Sequence, residues 1–127
     1  MLGYFNLPGP DPEGEIHLGV TFASRYAEDL GLDWRQTYLA LLDEMNVKRL
    51  RLPVYWDLVE RIPGEYDFSA IDWQLEEAEK RNAEVILVIG QRVPRWPECH
   101  LPLWVRSDDT RRKESLLQFL ATTVGRY

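Results

Sequence analysis

Cysteine is almost absent from this chain. Cys99 is the only one in 127 residues, so no disulfide can form within it, and a reducing compartment fits that usage. Histidine is nearly as scarce. His17 and His100 stand alone, without partners at metal-ligand spacing, so no metal and no cofactor is expected. Long apolar runs are missing, which argues against a membrane-spanning segment and a membrane partner. Met1 to Asn6 has neither the basic region nor the apolar stretch of a signal peptide, so a cytoplasmic location is the default expectation. Positive charge is in deficit as well, with 15 Lys+Arg against 21 Asp+Glu and a net charge of -6. A nucleic-acid surface needs a basic stripe, and none is present. The one basic cluster, Arg111-Arg112-Lys113, reads as a solvated helix face.

What remains is globular: 45% hydrophobic and 28% charged residues, in a length that suits one domain with its own core. Residues 1–15 hold Pro8, Gly9, Pro10, Pro12 and Gly14 and read as an irregular lead-in. Residues 16–127 read as the folded domain. Ile16 to Phe22 alternates apolar and small or polar positions, as a strand does. Asp33 reads as a helix N-cap, with Gln36 three residues on completing a capping-box pattern. Trp34, Tyr38, Leu41, Leu42 and Met45 form one stripe of that helix, which should end near Asn46.

Val47 to Pro53 reads as the second strand, stopped by a proline that cannot donate to a ladder. After a long connection Ser69 is the next N-cap, with Ile71, Leu75 and Ala78 on the inner stripe and Asn82 as a left-handed C-cap. Val85 to Ile89 is continuously apolar, the pattern of a strand buried on both faces, and Gly90 closes it. A polar and aromatic loop, Gln91 to Ser107, leads to a third helix starting at Asp108 or Asp109 and carrying Leu116, Phe119, Leu120 and Val124.

Strand and helix alternate, so a parallel sheet with right-handed crossovers follows. An open doubly wound sheet and the first part of an eight-fold barrel both fit. The first turn, Thr21-Phe22-Ala23-Ser24-Arg25-Tyr26, lacks the glycines that cradle a nucleotide. The segments after the strands are instead aromatic and charged, and barrel enzymes build their sites at that end. The barrel is the favoured expectation: a partial α/β barrel of about three βα units.

Arg51 is the sharpest single residue. Leu50 and Leu52 face one way, Arg49 and Arg51 the other. In a barrel the apolar set packs on the helices, so Arg51 points inward near the C-terminal end and calls for a carboxylate partner. It reads either as half of a structural ion pair or as the group that keeps a catalytic carboxylate ionised.

The stretch Leu50-Arg51-Leu52-Pro53-Val54-Tyr55-Trp56, then Glu60, Pro63-Gly64-Glu65-Tyr66-Asp67-Phe68 and Ile71-Asp72, resembles the second strand and loop of clan A glycoside hydrolases. The cellulase-like and family 42 β-galactosidase members are the nearest in pattern. Val85 to Gly90 with Pro94-Arg95-Trp96 is similar to their third strand and loop, and the resemblance spans roughly residues 16–105.

The resemblance implies a (β/α)8 TIM barrel and retaining hydrolysis by two carboxyl groups about 5 Å apart. In the family the acid follows strand four, usually in an Asn-Glu pair, and the nucleophile ends strand seven. This chain has no Asn-Glu dipeptide, so no catalytic residue is assigned within it. Arg51 matches the arginine that lies beside the nucleophile. Trp56 matches an aromatic of the strand-two loop, or is simply loop packing. Gln91 takes the place of a histidine common in cellulase-type relatives. Trp96, between Pro94 and Pro97, offers an indole face on which a sugar can stack. Arg51, Trp56, Gln91 and Trp96 are therefore the candidate substrate-binding residues.

Two functions compete. In one, the chain is the N-terminal portion of a retaining glycosidase, inactive alone because both glutamates lie elsewhere, with a carbohydrate substrate and the remaining barrel half as partner. In the other, it is a stand-alone half-barrel that binds carbohydrate or a protein, including another copy of itself. A barrel enzyme acting on phosphates is a third, weaker option, since such sites usually follow strands seven and eight.

Overall fold

A computed structural model describes residues 17–106 and 109–127. The expected lead-in at 1–15 lies outside the described residues, as do Ile16 and Asp108. The chain forms β1 (Val20–Thr21), α1 (Ser24–Asp29), α2 (Trp34–Asp43), β2 (Arg49–Tyr55), α3 (Trp56–Val59), α4 (Ser69–Glu79), β3 (Glu84–Gly90), α5 (Leu103–Arg106) and α6 (Asp109–Arg126). The strands make one parallel sheet in the order β1-β2-β3.

That order fits both architectures, and the placement of the helices separates them. Leu50, Leu52 and Val54 of β2 lie on one face. Tyr38 and Leu42 of α2 and Ala78 of α4 close over Leu50 and Leu52, while Ile71 of α4 and Phe119 of α6 close over Val54. All three long helices thus cover the same face, as in a segment of barrel wall. A doubly wound sheet distributes its helices over both faces. The opposite face, carrying Thr21, Arg49, Arg51, Glu84 and Ile86, is open around a groove of about 330 Å³.

Several boundaries differ from the sequence expectation. The first strand is two residues long rather than seven, because β1 is a sheet edge and Leu18 is exposed with no core to join. At Gly19 the backbones run close together: a Cβ would stand 3.1 Å from the Arg49 carbonyl oxygen. The second strand continues through Pro53 to Tyr55. The Arg51 carbonyl accepts from Phe22 N–H at 3.1 Å, so Arg51 and, two residues on, Pro53 turn their backbone groups toward β1. The β1 ladder has already ended there, and the missing proline N–H leaves no bond unmade. The third strand is not buried on both faces. It is the other edge of the sheet, and Ile86 is exposed on the open face.

The helices show similar adjustments. Asp33 caps α2 as expected, accepting from the Arg35 and Gln36 backbones at 2.9 and 3.0 Å. The helix ends at Asp43, so Met45 falls outside the stripe and is exposed; Asn46 follows at φ 50°. Ser69 is the first residue of α4 rather than its cap, and its N–H donates to Asp67 Oδ1 at 3.0 Å. Asn82 is left-handed at φ 52°, as expected of a C-cap. On α6, Phe119 is buried but Val124 faces solvent. The short helices α1, α3 and α5 have no strong periodic signal in the sequence.

The connection after β2 is held by an aromatic core. Trp56 is fully buried, stacked on Phe119 at 5.4 Å and edge-on to Trp104 at 6.1 Å. Its indole N–H donates to Glu60 Oε2 at 2.6 Å, while Glu60 Oε1 accepts from Gly64 N–H at 2.9 Å. Gly64 sits at φ 79° in a tight turn closed by Glu65 N–H to the Ile62 carbonyl at 3.0 Å, a conformation that favours glycine. Glu60 is thus the buried tie of the Pro63-Gly64 turn.

Candidate functional site

The C-terminal ends of the three strands deliver polar side chains to one place. Arg25 arrives on α1, just after β1. Tyr55 ends β2 and Asp57 follows it on α3. His100 comes from the connection after β3. Arg25 Nη1 donates to Asp57 Oδ2 at 2.8 Å and to His100 Nδ1 at 2.5 Å. A guanidinium has no acceptor, so Nδ1 accepts and the ring proton belongs on Nε2. The Arg25 cation also lies over the Tyr55 ring at 5.5 Å, and Tyr55 meets His100 edge-to-face at 4.7 Å. Desolvation pushes the buried Tyr55 phenol up to about 12, with the Arg25 charge opposing, so it is a neutral hydroxyl at any ordinary pH. Asp57 Oδ1 is buried without a hydrogen-bond donor.

The segment between β3 and α5 folds back on itself. Gln91 and His100 close its base through His100 N–H to the Gln91 carbonyl at 3.0 Å, and Arg92 pairs with Cys99 in an isolated bridge. At its tip Trp96 is 85% exposed. Arg95 stacks over Tyr26 at 3.6 Å, which holds the tip beside α1.

The sequence candidates separate into three environments. Arg51 lies on the open sheet face, where its Nε donates to Thr21 Oγ1 at 3.0 Å. Among the described residues no carboxylate forms an ion pair with it. The ion pair on that face belongs instead to Arg49 and Glu84, at 2.8 Å. Trp96 borders a different crevice, shared with Arg25, Tyr55 and His100. Gln91 is half-buried at the base of the Trp96 loop. Trp56 is fully buried in the core, stacked on Phe119 and edge-on to Trp104.

Sequence reasoning missed Arg25, Tyr55, Asp57 and His100 as a group. Tyr55 was within reach, since it shares alternation with Arg51 and Pro53 at the end of a strand. The other three lie on separate connections, with Arg25 at 32 residues from Asp57 and 75 from His100, and no local pattern joins them. The cluster ties the three strand-end connections together. Among the described residues no group of His, Cys, Asp or Glu is arranged to hold a metal, and no helix is long and apolar enough to cross a membrane.

No protein-family profile matches this chain, and no curated protein does. Solved structures do. The fold is similar to that of the exo-β-1,4-mannosidase Op5Man5 from Opitutaceae bacterium strain TAV5, with a TM-score of 0.56 and 16% sequence identity. The match covers 83% of this chain and 19% of that one, so the chain spans about a fifth of a TIM-barrel glycoside hydrolase. At that identity the likeness concerns the fold: a mixed α/β segment with a three-stranded parallel sheet, consistent with part of a barrel wall.

Proposed function

We propose that this chain is the N-terminal wall of a retaining glycoside hydrolase, supplying substrate-positioning groups rather than the catalytic carboxyls. Arg51 carries the reading. It is a cation on the open face of the sheet, beside the end of β1 and four residues before the end of β2, held by Thr21 and ion-paired to no carboxylate among the described residues. A guanidinium so placed suits a carboxylate delivered from another part of a closed barrel. Trp96 and Gln91 would line the sugar side of the cleft. The substrate class is an oligo- or polysaccharide; the exo-β-1,4-mannosidase activity named for the structural relative makes β-1,4-mannooligosaccharides the first probes.

The test is turnover of aryl β-mannosides, β-glucosides and β-galactosides by the purified chain. No turnover is expected. Hydrolysis that disappears when one of the chain's own carboxylates is replaced would place the catalytic pair within it and overturn the assignment.

A second reading follows from the solvent-facing indole of Trp96: a non-catalytic half-barrel that binds carbohydrate by stacking. Titration with mannooligosaccharides, followed by tryptophan fluorescence, separates the two. Saturable binding by the 127-residue chain alone favours the module, whereas binding only in the presence of a complementary barrel portion favours the enzyme wall.

A further inference from the structure

We propose that the cavity between the start of α4 and helices α1 and α3 binds a single neutral sugar ring, through the amide of Gln74 and the carboxylate of Glu28. The site stands whether or not the chain is part of a glycosidase. It shares only Tyr55 with the crevice beside Trp96.

Gln74 carries the inference. It is 3% exposed, on the inner side of α4. Its backbone carbonyl accepts from the Tyr38 hydroxyl at 2.8 Å, but among the described residues its side-chain amide makes no hydrogen bond. A helical side chain leans toward the N-terminus of its own helix. That direction takes the Gln74 amide past Ile71 into a cavity of about 240 Å³ that both residues line. Buried amides are normally paired, because leaving one unpaired is costly. The two donors and one acceptor of Gln74 therefore call for an occupant.

The cavity does not lie at an edge of the sheet. Its walls come from α1, α2, α3, α4 and the turn around Arg61. The helix α3 continues directly from β2, the central strand, and α2 and α4 pack over that strand. Extending the sheet beyond β1 or β3 therefore does not fill the cavity.

The lining selects the occupant. Val59, Ile71 and the Tyr55 ring, all buried, form an apolar floor that suits the C–H face of a pyranose. Around it, the Gln74 amide, the Ser24 hydroxyl, the Glu28 carboxylate and the Arg61 guanidinium make no side-chain hydrogen bond among the described residues. Asp67 differs, since Ser69 already donates to it. Donors and acceptors thus ring an apolar surface, as the hydroxyl edge of a sugar requires. Glu28 and Asp67 oppose an anion, and Arg61 opposes a cation. Among the described residues no acidic cluster is arranged for a metal either. A neutral ring with hydroxyls at its rim meets all these groups without a charge penalty, and the volume suits one ring rather than a longer chain.

Proton–nitrogen correlation NMR of the 127-residue chain, titrated with D-mannose, D-glucose and D-galactose to about 100 mM, tests this. The Gln74 side-chain amide pair and the Ser69 backbone amide report on the cavity, and the Trp96 indole N–H reports on the crevice. Saturable shifts of the Gln74 and Ser69 signals are expected with at least one of the three sugars. Half-saturation should fall on the order of 1–10 mM, because one ring makes few contacts against the cost of ordering it. Gln74→Met keeps the length of the side chain and removes no hydrogen bond within the chain, and the dispersion of the spectrum checks that it folds. It should weaken binding, read at Ser69, about tenfold. Glu28→Gln, at an exposed position on the rim, should do the same. Four results would each overturn the proposal. Shifts confined to Trp96 place the sugar in the crevice alone. Shifts at Ser69 with sodium phosphate and not with sugars mark an anion site. No saturable shift with any of these probes leaves the cavity to water. Binding indifferent to both variants places the sugar elsewhere.

Discussion

Arg25 and Asp57 are joined at 2.8 Å across the ends of two strands, and the same guanidinium nitrogen also holds His100. One side chain thus links all three strand-end connections. Arg25→Met removes the donor, leaving a mostly buried carboxylate whose Oδ1 already lacks one. A stability loss of about 1–3 kcal/mol is expected in urea unfolding. Faster exchange of the His100 amide, which closes the Trp96 loop onto Gln91, should accompany it. Unchanged exchange would mean that the loop is held without Arg25.

Glu60 offers a sharper test of the core. Each of its carboxylate oxygens accepts one N–H, from Trp56 and from Gly64. Glu60→Gln keeps the shape but sets an amide N–H₂ against one of those donors. A cost of about 1–3 kcal/mol is expected, read as a shift of the unfolding midpoint at constant slope. If Glu60 were instead a catalytic acid, the change would be in rate and not in stability.

Arg51→Ala should behave in the opposite way. The side chain is exposed and bonds only to Thr21 Oγ1, so the unfolding free energy should move by no more than about 0.5 kcal/mol. In a complete barrel reconstituted around this chain, the same substitution should reduce turnover per folded molecule. A large stability loss with intact turnover would make Arg51 structural.

Trp96→Ala should leave stability unchanged, since the indole is almost wholly outside the core. It should abolish any fluorescence response to mannooligosaccharides. A response that survives the substitution places the binding aromatic elsewhere.

Acid should loosen the C-terminal end of α6 before the sheet. Asp72 accepts from Arg126 at 2.6 and 3.1 Å and from Tyr127 at 2.6 Å. The Arg126 hydrogen bond holds its carboxyl below the usual carboxylate range, with partial burial opposing. The folded pKa is depressed, so the bond's contribution is complete above the unfolded Asp value and is lost as pH falls through the folded one. Both partners are partly exposed, which keeps the effect small. Protection of the Ala121 to Arg126 amides, relative to their intrinsic exchange at each pH, should therefore fall at low pH in the unaltered chain and already be lower at neutral pH in Asp72→Asn.

The sequence alone determined the order of strands and long helices, because alternation and helical spacing are local properties of neighbouring residues. Asp33, Asn82 and the face shared by Leu50 and Leu52 were legible for the same reason. The barrel sense of the sheet was legible only as a preference; the packing of α2, α4 and α6 on one face, which is consistent with part of a barrel, comes from the tertiary structure. Tertiary structure also decided the fate of the candidate residues. Trp56 and Trp96 both follow a strand in the sequence, yet Phe119, 63 positions after Trp56, packs on one while the other is 85% exposed. Arg25, Asp57 and His100 meet only because parallel strands bring their C-terminal ends to one side. Such a meeting depends on the path of the whole chain, and no single segment encodes it.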